Sequence, residues 1–178
     1  MRFSRFFPVV HAAIAAILIV AAPVAASAQE KPPSLFGGTL KATVIDPTTY
    51  APSVVLYGSM MLDWNSSQPF FRHGFVEDNP RYTVNGLPHD VPLSYGAGKQ
   101  QILKDALAIV PSMMVNNAAS HLLERTLIRR HPEHRKALHV LGAVQRVALS
   151  AFVSYRLSAN HFEQWQMNQR RASELGYR

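Results

Sequence analysis

The residues with chemistry in them lie just past residue 60. Asp63 closes an apolar run and is followed by Ser66 and Ser67, then by Gly74 and by Glu77-Asp78-Asn79-Pro80. On a helix, Asp63, Ser66, Ser67, Phe70 and Gly74 share one face, because residues three and four apart are neighbours. A carboxylate in that place is either buried and paired or the wet end of its helix. A buried carboxylate without a partner neutralises rather than staying charged, so a cation is needed beside it. Counting back from each connection sets Lys104 level with Asp63, with Arg146 deeper. Asp63, Ser66, Glu77, Asn79, Lys104, Arg146 and Asn160 are thus the candidates for a polar pocket. Glu77 and Asp78 read equally as turn carboxylates, since Asn-Pro initiates turns without any further role.

Other chemistries find little support. The chain has no cysteine, which excludes disulfides and thiolate metal sites. His131, His134 and His139 lie close in sequence, with His73 and His121 elsewhere, but they sit among arginines that repel a cation. No metal site is expected, and no cofactor. His161 beside Asn160 reads as the cap of a closing helix. There is no Gly-rich phosphate loop, Gly-x-Ser-x-Gly elbow or His-Glu-x-x-His motif. The net charge of +7 includes Arg129, Arg130, Arg135 and Lys136 in one short turn. Without interleaved aromatics these four suit anionic lipid headgroups rather than nucleic acid.

The elements that must position these residues are helical. With 178 residues there is room for one domain with a core. Arg2 and Arg5, the apolar run to Val24 and Ala26-Ser27-Ala28 read as a signal peptide over residues 1–28, cleaved before Gln29. Residues 29–46 read as a linker, with Pro32-Pro33 and a flexible break at Gly37-Gly38. The domain then covers residues 47–161. Asp46-Pro47 starts a first helix that Pro69 kinks or ends. Residues 75–98 form a long proline-rich loop. A second helix, from about residue 97 to 128, is kinked at Pro111, and a third runs from about 132 to 161. The short basic turn between them makes an antiparallel hairpin. Residues 162–178 are a polar tail that extends the third helix or trails from it. The fold class is all-α: a small bundle of about three main helices.

The segment Gly74-Phe75-Val76-Glu77-Asp78-Asn79-Pro80, with Asp63 and Ser66 or Ser67 before it and two helices after it, resembles an uncharacterised bacterial family of small multi-helix membrane proteins. Its members carry an acid and a small hydroxyl residue in the first helix, then a Gly-x-x-Glu-x-Asn-Pro turn. The resemblance covers roughly residues 50–161 and implies location and architecture, not a reaction. The second and third helices have about the length a bilayer requires, but Asn116, Asn117 and His121 interrupt one, and Gln145 and Arg146 the other. With residue 29 outside, three spans would leave the basic turn outside too, against the preference of Lys and Arg for the cytoplasm. Either the first helix lies at the surface and only the hairpin spans, or nothing spans. The expected protein is exported, held in the inner membrane facing the periplasm or free in the periplasm, with a structural or interaction role. The alternative is a membrane-embedded enzyme or transport accessory built on Asp63, Glu77 and Lys104.

Overall fold

The computed structural model describes residues 34–177, and the expected signal peptide lies outside them. Among the described residues all named elements are helical: α1 (Leu35–Ile45), α2 (Ala51–Arg72), α3 (Tyr95–Leu107), α4 (Val110–Arg130) and α5 (Arg135–Leu175), with three-residue 3-10 turns at Pro47–Thr49, Pro80–Tyr82 and Pro132–His134. The chain divides into two compact units. One holds residues 34–52 and Val110–Val153; the other holds Ser53–Ile109 and residues 154–177.

In the first unit, residues 35–45 are not a linker. Ser34 caps α1 by accepting the Gly37 N–H at 3.0 Å, and the Gly37-Gly38 pair lies inside the helix. Gly38 is there for proximity: a Cβ on it would run into the Arg125 guanidinium of α4. Thr39 and Thr43 send their hydroxyls back to the carbonyls of Leu35 and Thr39, so two polar side chains are buried with their needs met within the helix. The carboxylate of Asp46 accepts the Thr48 N–H at 2.9 Å, so it is a cap, as expected. It caps a 3-10 turn, however, and α2 begins only at Ala51. Residues of α4 and of the first half of α5 meet in antiparallel order: Ser120 bonds Gln145 and Glu124 bonds His139.

The interior of this unit is polar. Thr43, Thr49, Asn117, His121, Glu124, Arg146 and Ser150 are buried, and Met113 is the one large apolar side chain buried with them among the described residues. Leu122, Leu123, Val140, Leu141 and Val144 face outward. A water-soluble domain arranges these classes the other way round.

The second unit has an apolar core of Leu56, Met60, Trp64, Tyr82 and Ile102. Trp64 is only 5 % exposed, and Gly98 leaves the gap that its indole fills. Ser53 donates to the Ala106 carbonyl at 2.8 Å and Trp64 Nε1 lies 3.4 Å from the Tyr95 carbonyl, so α2 and α3 are antiparallel. Pro69 neither ends α2 nor isolates its neighbours. It falls one turn from the C-terminus, and Gln68 and Ser67 bond the carbonyls of Trp64 and Asp63 in the turn below. The helix stops two residues before Gly74, whose φ of 83° a side chain would oppose.

The later boundaries also shift. The expected second helix is broken at Ala108 and Ile109, so that Pro111 sits in the first turn of α4, where a missing N–H is tolerated. The third helix does not close at residue 161. It continues through the expected polar tail to Leu175, 41 residues in all.

Candidate functional site

Within the second unit a cleft of about 410 Å³ opens between α2, the segment 75–82 and the last third of α5. Asp63, Glu77 and Asn79, three of the seven expected pocket residues, line it. Their placement is local in origin. Glu77 Oε1 accepts the Asn79 N–H at 2.8 Å and Asn79 Oδ1 accepts the Arg81 N–H at 3.1 Å, so the Glu-x-Asn-Pro sequence winds itself into a turn. The connection then doubles back. Glu77 and Asp90 exchange backbone hydrogen bonds, and the Leu93 N–H donates to the Tyr82 carbonyl at 2.7 Å. Tyr82 donates its hydroxyl to Asp105 at 2.9 Å, and Arg81 pairs with the same carboxylate, pinning the turn to α3.

Asp63 is paired, but not with the expected cations. Its Oδ2 lies 2.9 Å from Nδ1 of His161, and Asn168 Nδ2 approaches Oδ1 at 3.5 Å. Asn168 also donates to Ser66 at 3.1 Å and Ser67 at 3.0 Å. Ser66 thus belongs to the supporting bonds and lines a neighbouring groove, not this cleft. Lys104 is exposed and away from the cleft lining, and Asn160 is exposed as well. His161, one position further along α5, is the residue that reaches Asp63. Burial raises the Glu77 carboxyl above its ordinary value, and the charges of Asp63 and Asp78 add to the effect.

Arg146 belongs to the first unit. Its Nε lies 2.9 Å from Asp46 Oδ2 and its Nη1 lies 2.7 Å from Glu124 Oε2. His121 approaches Asp46 at 3.0 Å and His139 approaches Glu124 at 2.5 Å. Side-chain exposures of 12 % for Asp46, 8 % for Glu124 and 9 % for Arg146 make this a buried chain of charges, open to solvent mainly at His139. Burial opposes ionisation of Asp46. Hydrogen bonds from His121 and Thr48, with the Arg146 charge, outweigh it and hold the carboxyl at about 2. Gly142 clears the space, since a Cβ there would strike the Glu124 carboxylate.

Sequence reasoning missed Asp46, His121, Glu124 and His139 as one network. A legible signal existed on α5. Arg146, Ser150, Ser154, Ser158 and His161 recur every three or four residues, a polar stripe opposite Val140, Val144 and Phe152. Arg129, Arg130, Arg135 and Lys136 are exposed at the α4–α5 turn.

No family model, curated protein or solved structure matches the chain. The fold and site define an all-α protein with a polar, ion-paired interior in one unit and a cleft beside an apolar core in the other.

Proposed function

We propose that this is an exported, membrane-embedded helical protein of the bacterial cell envelope, with an interaction role rather than a catalytic one. The observation that carries the reading is the inverted interior of the first unit. Glu124, Arg146, Thr43, Thr49 and Ser150 face inward, while Leu122, Leu123, Val140, Leu141 and Val144 face outward. In lipid, ionisable groups turn to the bundle interior and pair, small hydroxyl residues sit at helix contacts, and no hydrophobic penalty attaches to the outward apolar face. Two stretches, Tyr95–Arg130 and Pro132–Leu175, are long and apolar enough to cross a membrane, by length and composition only. Within them, α4 has 21 residues and residues 135–153 of α5 nearly as many, close to the roughly 20 that a bilayer needs.

On this reading the hairpin of α4 and α5 spans. Arg129, Arg130, Arg135 and Lys136 meet anionic headgroups, each adding about 1 kcal/mol. The chain would then belong with the multi-helix membrane family that its Asp63 to Pro80 pattern resembles. Washing membranes with alkaline carbonate tests the reading. The protein is expected to stay in the pellet and to need detergent; release by carbonate would overturn it.

A further inference from the structure

The cleft of the second unit has a composition with its own meaning, independent of where the protein resides. Its wall is aromatic: Trp64, Phe70, Phe71, Phe75 and Tyr82 line it. The Trp64 ring lies 5.4 Å from Phe71 and 5.8 Å from Tyr82, so the three pack as one aromatic cluster on the cleft wall. Three carboxylates also line the cleft, and two are answered within the chain. Asp63 has His161 at 2.9 Å and Asp78 has His89 at 2.6 Å. Glu77 has neither: its bonds are to backbone, and among the described residues no cation pairs with it.

Aromatic faces attract cations through their quadrupole, and they do so most strongly where water is excluded. The cleft already holds one internal example. The guanidinium of Arg171 lies over the Phe75 ring, 5.9 Å from its centre. A metal ion is a poor match, because no group of three His, Cys, Asp or Glu side chains is placed to hold one among the described residues. A volume of about 410 Å³ lies within the range of small-molecule sites.

We infer that the cleft binds a small organic cation, an amine or quaternary ammonium with a compact apolar body, seated on Trp64, Phe71 and Tyr82 with Glu77 as its counter-charge. A positive ligand also relieves the crowding of Asp63, Glu77 and Asp78, which with burial is what raises Glu77.

The test uses the full chain in detergent micelles with Trp165→Phe, which leaves Trp64 as the sole fluorophore of the two tryptophans. Choline and its neutral isostere 3,3-dimethylbutan-1-ol are titrated in parallel, with benzyltrimethylammonium as a larger cation. The cations are expected to change Trp64 emission saturably, with the neutral alcohol at least tenfold weaker. Glu77→Gln should weaken cation binding at least tenfold with the helical circular dichroism unchanged. Equal binding of choline and the alcohol overturns the inference, as does an unaffected Glu77→Gln or a lack of response to both cations. The comparison of choline with its isostere needs no variant at Glu77, so misfolding cannot mask it. In lipid nanodiscs, binding of choline with either phosphatidylglycerol or phosphatidylcholine assigns the site to a free amine. Silence only in phosphatidylcholine assigns it to that headgroup. Failure of binding in protein that still resists carbonate would leave the membrane reading standing.

Discussion

Replacing Arg146 by methionine keeps much of the side chain's bulk and removes the cation that, among the described residues, bridges Asp46 and Glu124. Both carboxylates are nearly closed to water, so neither recovers hydration when the guanidinium goes. Breaking a buried pair by deleting one partner typically costs about 3–5 kcal/mol, because a buried charge is left uncompensated. Here two charges are stranded, yet each retains a histidine, His121 at 3.0 Å and His139 at 2.5 Å. These retained partners hold the expectation to about 3–5 kcal/mol rather than twice that. For a chain of this size the loss corresponds to roughly 6–20 °C in melting temperature. The assay is thermal unfolding of Arg146→Met, of Asp46→Asn with Glu124→Gln, and of the triple variant. With the carboxylates already neutral, losing Arg146 should cost far less than it does in the parent chain, a coupling above about 1 kcal/mol. If Arg146→Met falls within about 0.5 kcal/mol of the parent, as surface changes do, the network is not buried in the sense argued and the polar interior loses its central residue.

The depressed carboxyl of Asp46 has a consequence in acid. A group held at about 2 in the folded state and near 3.8 when unfolded stabilises the fold above pH 4 and loses that contribution as pH falls towards 2. The loss is at most about 2.5 kcal/mol, and Asp46→Asn should abolish this part of the acid slope in denaturant titrations. Two glycines of α3 should respond oppositely to alanine. Gly98→Ala drives a methyl into the Trp64 indole and should destabilise by about 1–3 kcal/mol, with a shift in Trp64 emission. Gly96→Ala meets open space and should stabilise by up to about 1 kcal/mol. Equal effects at both positions would show that α2 and α3 do not pack as closely as described.

What the sequence made legible follows from the range of the interactions involved. The turn at Glu77, Asn79 and Pro80 could be read because its hydrogen bonds reach two residues. Asp46 could be read as a cap for the same reason. Its second oxygen, which serves His121 and Arg146, could not, since nothing local announces a partner 75 positions away. Counting back from each connection sets Lys104 level with Asp63, but Lys104 is exposed and off the cleft. The long α5 instead brings His161, read as a closing cap, and Asn168 from what reads as a tail. Gly37-Gly38 reads as a break because glycine frees the backbone, whereas Gly38 here lets α1 approach the Arg125 side chain. Apart from α1, which reads as a linker, the helices are legible in kind, and several of their ends shift near a proline, while α5 runs past residue 161 with no proline to stop it.

The charge network also sets an order of events during synthesis. A chain made from its N-terminus presents Asp46 first, and His121 follows 75 residues later. Glu124 comes next and waits a further 22 residues for Arg146. Throughout that interval the nascent chain carries acids whose guanidinium has not yet been translated. Until α5 emerges they must stay hydrated or protonated, so the α4–α5 hairpin is the last step that can seal the interior. A chain stalled between these helices would expose Asp46 and Glu124 as orphan acids, each without the guanidinium that answers it in the finished fold.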